Sequence, residues 1–292
     1  MNGRAAGWSA SGSAGGQDSS AWSDRGRLPV LMYHSVGRGA SSAFRRWQVD
    51  PGLFADQLGT LVDAGYRLVG LSAALDEPDD RTVAVTFDDG FVDFLGATEQ
   101  LVAAGCGATL YVPTAHVARK AGWMAGYREA ELRIMDWPQI AEVAAAGIEI
   151  GSHGHAHAEL DLMPAHLMRS DIVRSRRLLS DRLARPVRSF CYPFGYHTRT
   201  VRSAVAEAGF ANACEVGYGL HPRAGDPFAV RRLIVTGDTR PADLHRLIIA
   251  GQDSPVMQLR RRTRTPWRLY RAAHQIATRG RPGAEAGEDA DR

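Results

Sequence analysis

The sequence predicts an α/β fold, a distorted and incomplete β/α barrel of seven or eight strands forming a single TIM-like domain. Three observations carry that prediction: a helix, turn, strand signature that recurs, apolar strand candidates lying between its copies, and polar clusters falling directly after predicted strands. The signature is a helical run closed by Ala-Gly and followed by apolar or β-branched residues, at Ala64-Gly65, Ala104-Gly105, Ala146-Gly147 and Ala208-Gly209. A glycine just past a helix end supplies the left-handed residue that closes the last turn, and the apolar run after it reads as a buried strand.

Those strands span Tyr66 to Val69, Ala108 to Val112, Ile148 to Ser152 and Phe210 to Cys214. Leu28 to Tyr33, Thr82 to Phe87, Val187 to Cys191 and Phe228 to Val235 are the further candidates. Helical periodicity covers Pro51 to Asp63, Phe91 to Ala103, Asp136 to Ala145, Pro164 to Leu183 and Thr200 to Glu207. Strands alternating with helices imply a mostly parallel sheet covered on both faces, and this number of strands favours a closed or nearly closed barrel over an open sheet. Composition does not break between residues 28 and 250, so this stretch reads as one domain. Residues 1 to 27 are rich in Gly, Ser and Ala and read as a disordered segment, and residues 251 to 292 as an Arg-rich tail.

At 292 residues and 45% hydrophobic, the chain can bury a large core. Its net charge is +3, with Lys120 the sole lysine, and no basic stripe interleaved with aromatics marks a nucleic-acid partner. Cys106, Cys191 and Cys214 are odd in number and widely spaced, which offers no disulfide framework or C-x-x-C site and fits a reducing compartment. The N-terminal segment lacks the apolar core of a signal peptide and no apolar run is long enough to span a bilayer, so the expected location is cytoplasmic. Eight arginines between 259 and 281, around Trp267, Leu269 and Tyr270, leave two readings for the tail: a solvated appendage, or peripheral contact with an anionic membrane.

Four clusters after strands carry the candidate chemistry: Tyr33-His34, Asp88-Asp89-Gly90, His153 to His157, and Tyr192-Pro193-Phe194-Gly195. In a β/α barrel the C-terminal ends of parallel strands open on one face, so clusters distant in sequence converge there. Adjacent carboxylates such as Asp88 and Asp89 repel unless a cation offsets them, although Asp before Gly is also a common turn. Three imidazoles in His153-Gly154-His155-Ala156-His157 suit zinc or a related ion, and with one carboxylate they make a site that keeps positions open for water and substrate.

Thr86-Phe87-Asp88-Asp89-Gly90, followed by H-x-x-x-H after an Ile-Gly-Ser strand end, resembles the first two motifs of the polysaccharide deacetylases, the NodB-homology domain of carbohydrate esterase family four. The resemblance covers roughly residues 28 to 240. It implies Asp88 as catalytic base, Asp89, His153 and His157 as ligands of a divalent ion, with Zn2+ preferred, and an N-acetylated carbohydrate as substrate. The family's third motif, R-x-P-Y/F, has cysteine in place of arginine in Cys191-Tyr192-Pro193-Phe194, which predicts that the arginine holding the base is missing. No late Leu-x-His follows, since Arg232-Leu233-Ile234-Val235-Thr236 has no histidine. Both departures resemble the poly-N-acetylglucosamine deacetylase-like branch, where an early Met-Tyr-His stands in, so His34 of Leu31-Met32-Tyr33-His34 is the implied acid.

The implied reaction is hydrolysis of an N-acetyl group, with the Phe194 N–H donating to the oxyanion, Tyr192 and Pro193 at the sugar, and Trp137 left with two readings, a wall for the sugar or packing at a helix start. Two rivals stand beside it. One is a metallohydrolase acting on a non-sugar amide through an H-x-H pair, His153 and His155, disfavoured by the pair's mid-chain position and by Lys120 being the single available lysine. The other is a catalytically silent carbohydrate-binding homologue, for which the missing arginine argues.

Overall fold

The computed structural model describes residues 26–77, 79–251 and 264–279. Eight parallel strands form one sheet: β1 (Val30–Tyr33), β2 (Arg67–Val69), β3 (Thr82–Phe87), β4 (Thr109–Val112), β5 (Glu149–Ser152), β6 (Ser189–Cys191), β7 (Asn212–Cys214) and β8 (Leu233–Ile234). Their order is β7-β6-β5-β4-β3-β1-β8, with β2 pairing on the first half of β3. The sheet curls into an incomplete barrel, as expected. Its seam, between β7 and β8, is spanned by one short stretch of chain: Val230 bridges Cys214 of β7, and Leu233 and Ile234 pair with Leu31 and Met32 of β1. The single strand expected over Phe228 to Val235 is therefore divided, because its two ends pair with opposite edges of the sheet.

The helices are α1 (Pro51–Asp63), α2 (Leu71–Asp76), α3 (Phe94–Ala103), α4 (Trp137–Ala145), α5 (Ala165–Leu183), α6 (Arg199–Glu207), α7 (Pro241–Ala250) and α8 (Arg264–Arg279). Local chemistry sets their ends. In α1, Asp50 accepts from the Gly52 N–H, Pro51 occupies the first turn, and Phe54, Leu58 and Leu61 form the buried stripe. All four Ala-Gly signatures close helices, with Gly65, Gly105, Gly147 and Gly209 at φ between +64° and +93°. The residue after each reaches back to seal the turn, as when the Tyr66 N–H donates to the Leu61 carbonyl at 3.0 Å. Leu28 to Tyr33 is interrupted by Pro29, which has no N–H to donate, and the sheet strand begins at Val30.

Strand parity separates two environments. Leu31, Tyr33, Val83, Val85, Phe87, Leu110, Ile150 and Phe190 face the helices and join the main core. The alternate residues face the barrel interior, where Val30, Ala84, Tyr111, Cys191, Cys214 and Val230 form a second cluster. The interior is tight: a Cβ on Gly151 would lie 2.5 Å from the Tyr111 ring, so glycine at this point in β5 makes room for that ring, whose hydroxyl bonds Ser189 at 2.7 Å. No helix among the described residues is long and apolar enough to cross a membrane.

Candidate active site

Parity continues past the strand ends and collects the site. Asp88 follows Ala84 and Thr86 in phase, His34 follows Val30, and Cys191 and His153 do the same on β6 and β5. At this end of the barrel Asp88 is buried, yet it is held well below the usual carboxylate range. Burial by itself would raise it. The opposing pull comes from Arg232, which outweighs the burial. Arg232 is fully buried, and its Nη1 and Nη2 donate to Asp88 Oδ1 and Oδ2 at 2.7 and 2.8 Å. Its remaining donors are also satisfied, by the Glu215 carbonyl at 3.0 Å, Thr86 Oγ1 at 3.2 Å and Cys191 Sγ at 3.2 Å. The fork geometry matches a bidentate arginine–carboxylate pair. The expectation that the base lacks its arginine is thus corrected: Cys191 fills the place where arginine stands in the family motif, and the guanidinium arrives from the seam segment instead.

Beside this pair lies the candidate metal centre. Asp89, His153 and His157, all buried, bring one ligand atom each to within 4.8 Å of one another. Asp89 Oδ1 is 3.1 Å from His157 Nε2 and 3.5 Å from His153 Nε2. His153 Nδ1 bonds the Cys191 carbonyl at 2.8 Å, an outer partner of the kind that orients a ligating imidazole. Burial lowers the His153 pKa to about 4, so the ring is neutral near pH 7 and its Nε2 is available as a donor atom. Buried, mutually facing carboxylate and imidazole groups fit a divalent ion of the zinc type. Asp88, His153 and Cys191 also come within that distance, but Arg232 occupies both Asp88 oxygens and burial pushes the Cys191 thiol up, away from the thiolate a metal would need.

The backbone is strained where the groups converge: Asp89 has φ +72°, His157 +50° and Phe194 +59°. Asp171 of α5 holds the histidine loop by accepting the N–H groups of His155 and Ala156 at 2.7 and 2.8 Å. That loop turns the His155 ring away, to Thr114 Oγ1 at 2.8 Å, while Trp123 stacks on His157 at 4.3 Å. His34 is half-buried against Trp47, ring centroids 4.9 Å apart, and its buried Nδ1 has no hydrogen-bond partner. The ring of Phe194 meets His157 edge-on at 4.8 Å and is 46% exposed.

Tyr192 and Pro193 sit differently from the sugar-lining places expected of them, and Trp137 takes the helix-start alternative. Tyr192 lies one residue out of phase with Cys191, faces the helices, is fully buried and donates its hydroxyl to the Phe228 carbonyl, so it offers no surface to a ligand. Pro193 is buried beneath the same turn. Trp137 begins α4 with the Arg182 guanidinium 5.3 Å from its ring and packs on the main core, a helix-start role. Arg232, Asp171 and Trp123 join the site only through tertiary contacts, which local sequence pattern does not show. Arg232 carried a signal: with Arg231 it interrupts the otherwise apolar run from Ala229 to Val235, and a charge in a buried strand needs a buried partner.

Residues 76–213 match the family model for polysaccharide deacetylase. The chain carries a polysaccharide deacetylase domain. YxkH of Bacillus subtilis (strain 168), whose name places it in the same family, is 26% identical over 229 residues, 75% of this chain and 76% of that protein. Among solved structures, IcaB from Ammonifex degensii has a TM-score of 0.65 at 25% identity, covering 77% of this chain and 98% of that one. Streptococcus pyogenes deacetylase PplD, solved in complex with acetate, has a TM-score of 0.66 at 22% identity, covering 76% and 98%, and supports the fold of this deacetylase domain.

Proposed function

We propose that the chain is a metal-dependent carbohydrate N-deacetylase that hydrolyses N-acetyl groups on a sugar or polysaccharide precursor. The observation that carries this reading is a charged Asp88 held by Arg232 directly beside the Asp89, His153 and His157 set. Asp88 keeps its charge and accepts the proton of the attacking water. A carboxylate so firmly stabilised is a weak base. Asp89, His153 and His157 would hold a divalent ion, with Zn2+ favoured by the donor set, and a bound ion would supply the Lewis acidity that lets so weak a base suffice. The Phe194 N–H donates to the developing oxyanion, and His34, whose Nδ1 is free of protein partners, delivers the proton that lets the sugar amine depart. The argument for a catalytically silent homologue was an unsupported base, and Arg232 removes it. Three free, buried cysteines fit a reducing compartment, so the reading keeps the enzyme in the cytoplasm, acting on an intracellular precursor.

The test is acetate release from a panel of N-acetylated oligosaccharides, lipid-linked sugars and non-sugar N-acyl amides by metal-loaded protein. N-acetyl sugars should be turned over, and Asp88→Asn should lose about 10²-fold or more in kcat while retaining the ion. Turnover confined to non-sugar amides, or an Asp88→Asn variant as fast as the parent, would sink the assignment.

A further inference from the structure

On the helix side of β7, a cavity of about 340 Å³ is lined by His197, Arg202, Glu215, His221, Asp226 and Arg231, among others. That volume is within the range of small-ligand pockets. Strand parity puts it there: Cys214 faces the barrel interior, so Glu215 turns its side chain to the helix side as Ala213 does, while its carbonyl accepts from Arg232 Nε at 3.0 Å. Helix α6 supplies Arg202, and the turn leaving Phe194 supplies His197. His221 is held in a two-residue ribbon, His221–Pro222 paired with Arg27–Leu28. Arg231 stands next to Arg232 in the segment that spans the seam, and none of these residues belongs to the candidate metal centre.

The open groups around this cavity are nitrogens. Its carboxylates are engaged: Glu215 accepts from His197 Nε2, and Asp226 from Arg202 Nη1 and from the Phe228 N–H. By contrast, Nδ1 of His197, Nδ1 of His221 and Nε of Arg202 are buried and have no hydrogen-bond partner. The Arg231 guanidinium makes no ion pair or hydrogen bond among the described residues. Burial, and after it the Arg231 charge, lower the His221 pKa to about 4, so this ring is neutral near pH 7 and has one N–H to give. Buried polar atoms nearly always have partners, and three open nitrogens with an unpaired guanidinium around one cavity call for a ligand rich in acceptors.

We propose that this cavity binds a small phosphate-bearing ligand, its oxygens accepting from Arg231, Arg202 Nε and His221. A phosphate group brings several acceptor oxygens and a negative charge together, the combination that guanidinium groups recognise best. A divalent cation is the competing occupant. It would need three converging ligand atoms, and among the described residues such groups occur only around His153. The bound phosphate would tie Arg202 of α6 to Arg231 of the seam segment, one residue from the arginine that holds Asp88.

The experiment titrates full-length, metal-loaded protein with inorganic phosphate and with glucose 6-phosphate in a calorimeter, and follows thermal unfolding with and without each. The ligand should bind and raise Tm, and Arg231→Gln should weaken binding about tenfold or more, as expected for loss of a charge-assisted contact. Arg202→Gln, which leaves the Asp226 carboxylate unpaired beside the cavity, should weaken it at least as much and serves if Arg231→Gln folds poorly. Tighter binding of glucose 6-phosphate assigns the cavity to a phosphate monoester and equal binding to free phosphate, and either supports the site. An affinity unmoved in both arginine variants but lost in His153→Ala would place the phosphate at the metal centre and overturn the proposal. So would a parent protein that binds neither probe, or a second divalent ion per chain that disappears in His221→Ala, which would make this a cation site.

Discussion

Asp88 and Asp89 are neighbours in sequence and opposites in the site. One extends the strand phase into the barrel and meets Arg232, and the other, at φ +72°, swings to the histidines. The pair was legible in the sequence because both members follow a strand and sit together; Arg232 was not, because its partner is 144 residues away and only barrel closure brings them into contact. The three histidines show the same limit. Spacing leaves H-x-H and H-x-x-x-H open, whereas the loop pinned by Asp171 sends His153 and His157 toward Asp89 and His155 toward Thr114. Metal analysis of purified variants checks the result: Asp89→Ala, His153→Ala and His157→Ala should each sharply lower the bound ion, and His155→Ala should keep it. Loss of the ion in His155→Ala with retention in His157→Ala would reverse the assignment.

Elements were legible where capping and periodicity agree, and less so where tertiary contacts compete. The expected helix from Phe91 begins at Phe94 because Phe91 is drawn into a bridge with Ile134 and a small cluster with Phe44 and Met124. Helix α2 is six residues long, too short to show a period. Helix α4 starts where expected, since Asp136 accepts from the Gln139 N–H while the Gln139 side chain accepts from the Asp136 N–H, each at 2.9 Å. Asp136→Ala should therefore cost about 1 kcal/mol, read as a lower urea midpoint at unchanged slope. Because α4 leads into β5, a loss several times larger would mean that this cap also supports the histidine loop.

At the scale of the whole molecule, the Val230–Cys214 bridge stands at the barrel's seam, and Arg232 adds polar contacts there. From the stretch joining β7 to β8 it reaches the β3 side chains Thr86 and Asp88, the Glu215 carbonyl after β7 and the Cys191 thiol of β6. Taking two charges out of water is costly, so the pair adds little net stability beyond what a well-packed apolar pair would give, but removing one partner leaves an uncompensated buried charge. Arg232→Met should on that ground cost roughly 3–5 kcal/mol. Adding Asp88→Asn removes the stranded charge, so the double variant should be more stable than Arg232→Met alone, and the full cycle should return about 0.5–3 kcal/mol of coupling. Urea unfolding of all four forms in chelator isolates this from metal binding, which would otherwise shift every midpoint. If the double variant unfolds at the same midpoint as Arg232→Met or below it, the arginine stabilises the seam through its contacts with Glu215 and Cys191, and its charge pairing with Asp88 is incidental to the fold.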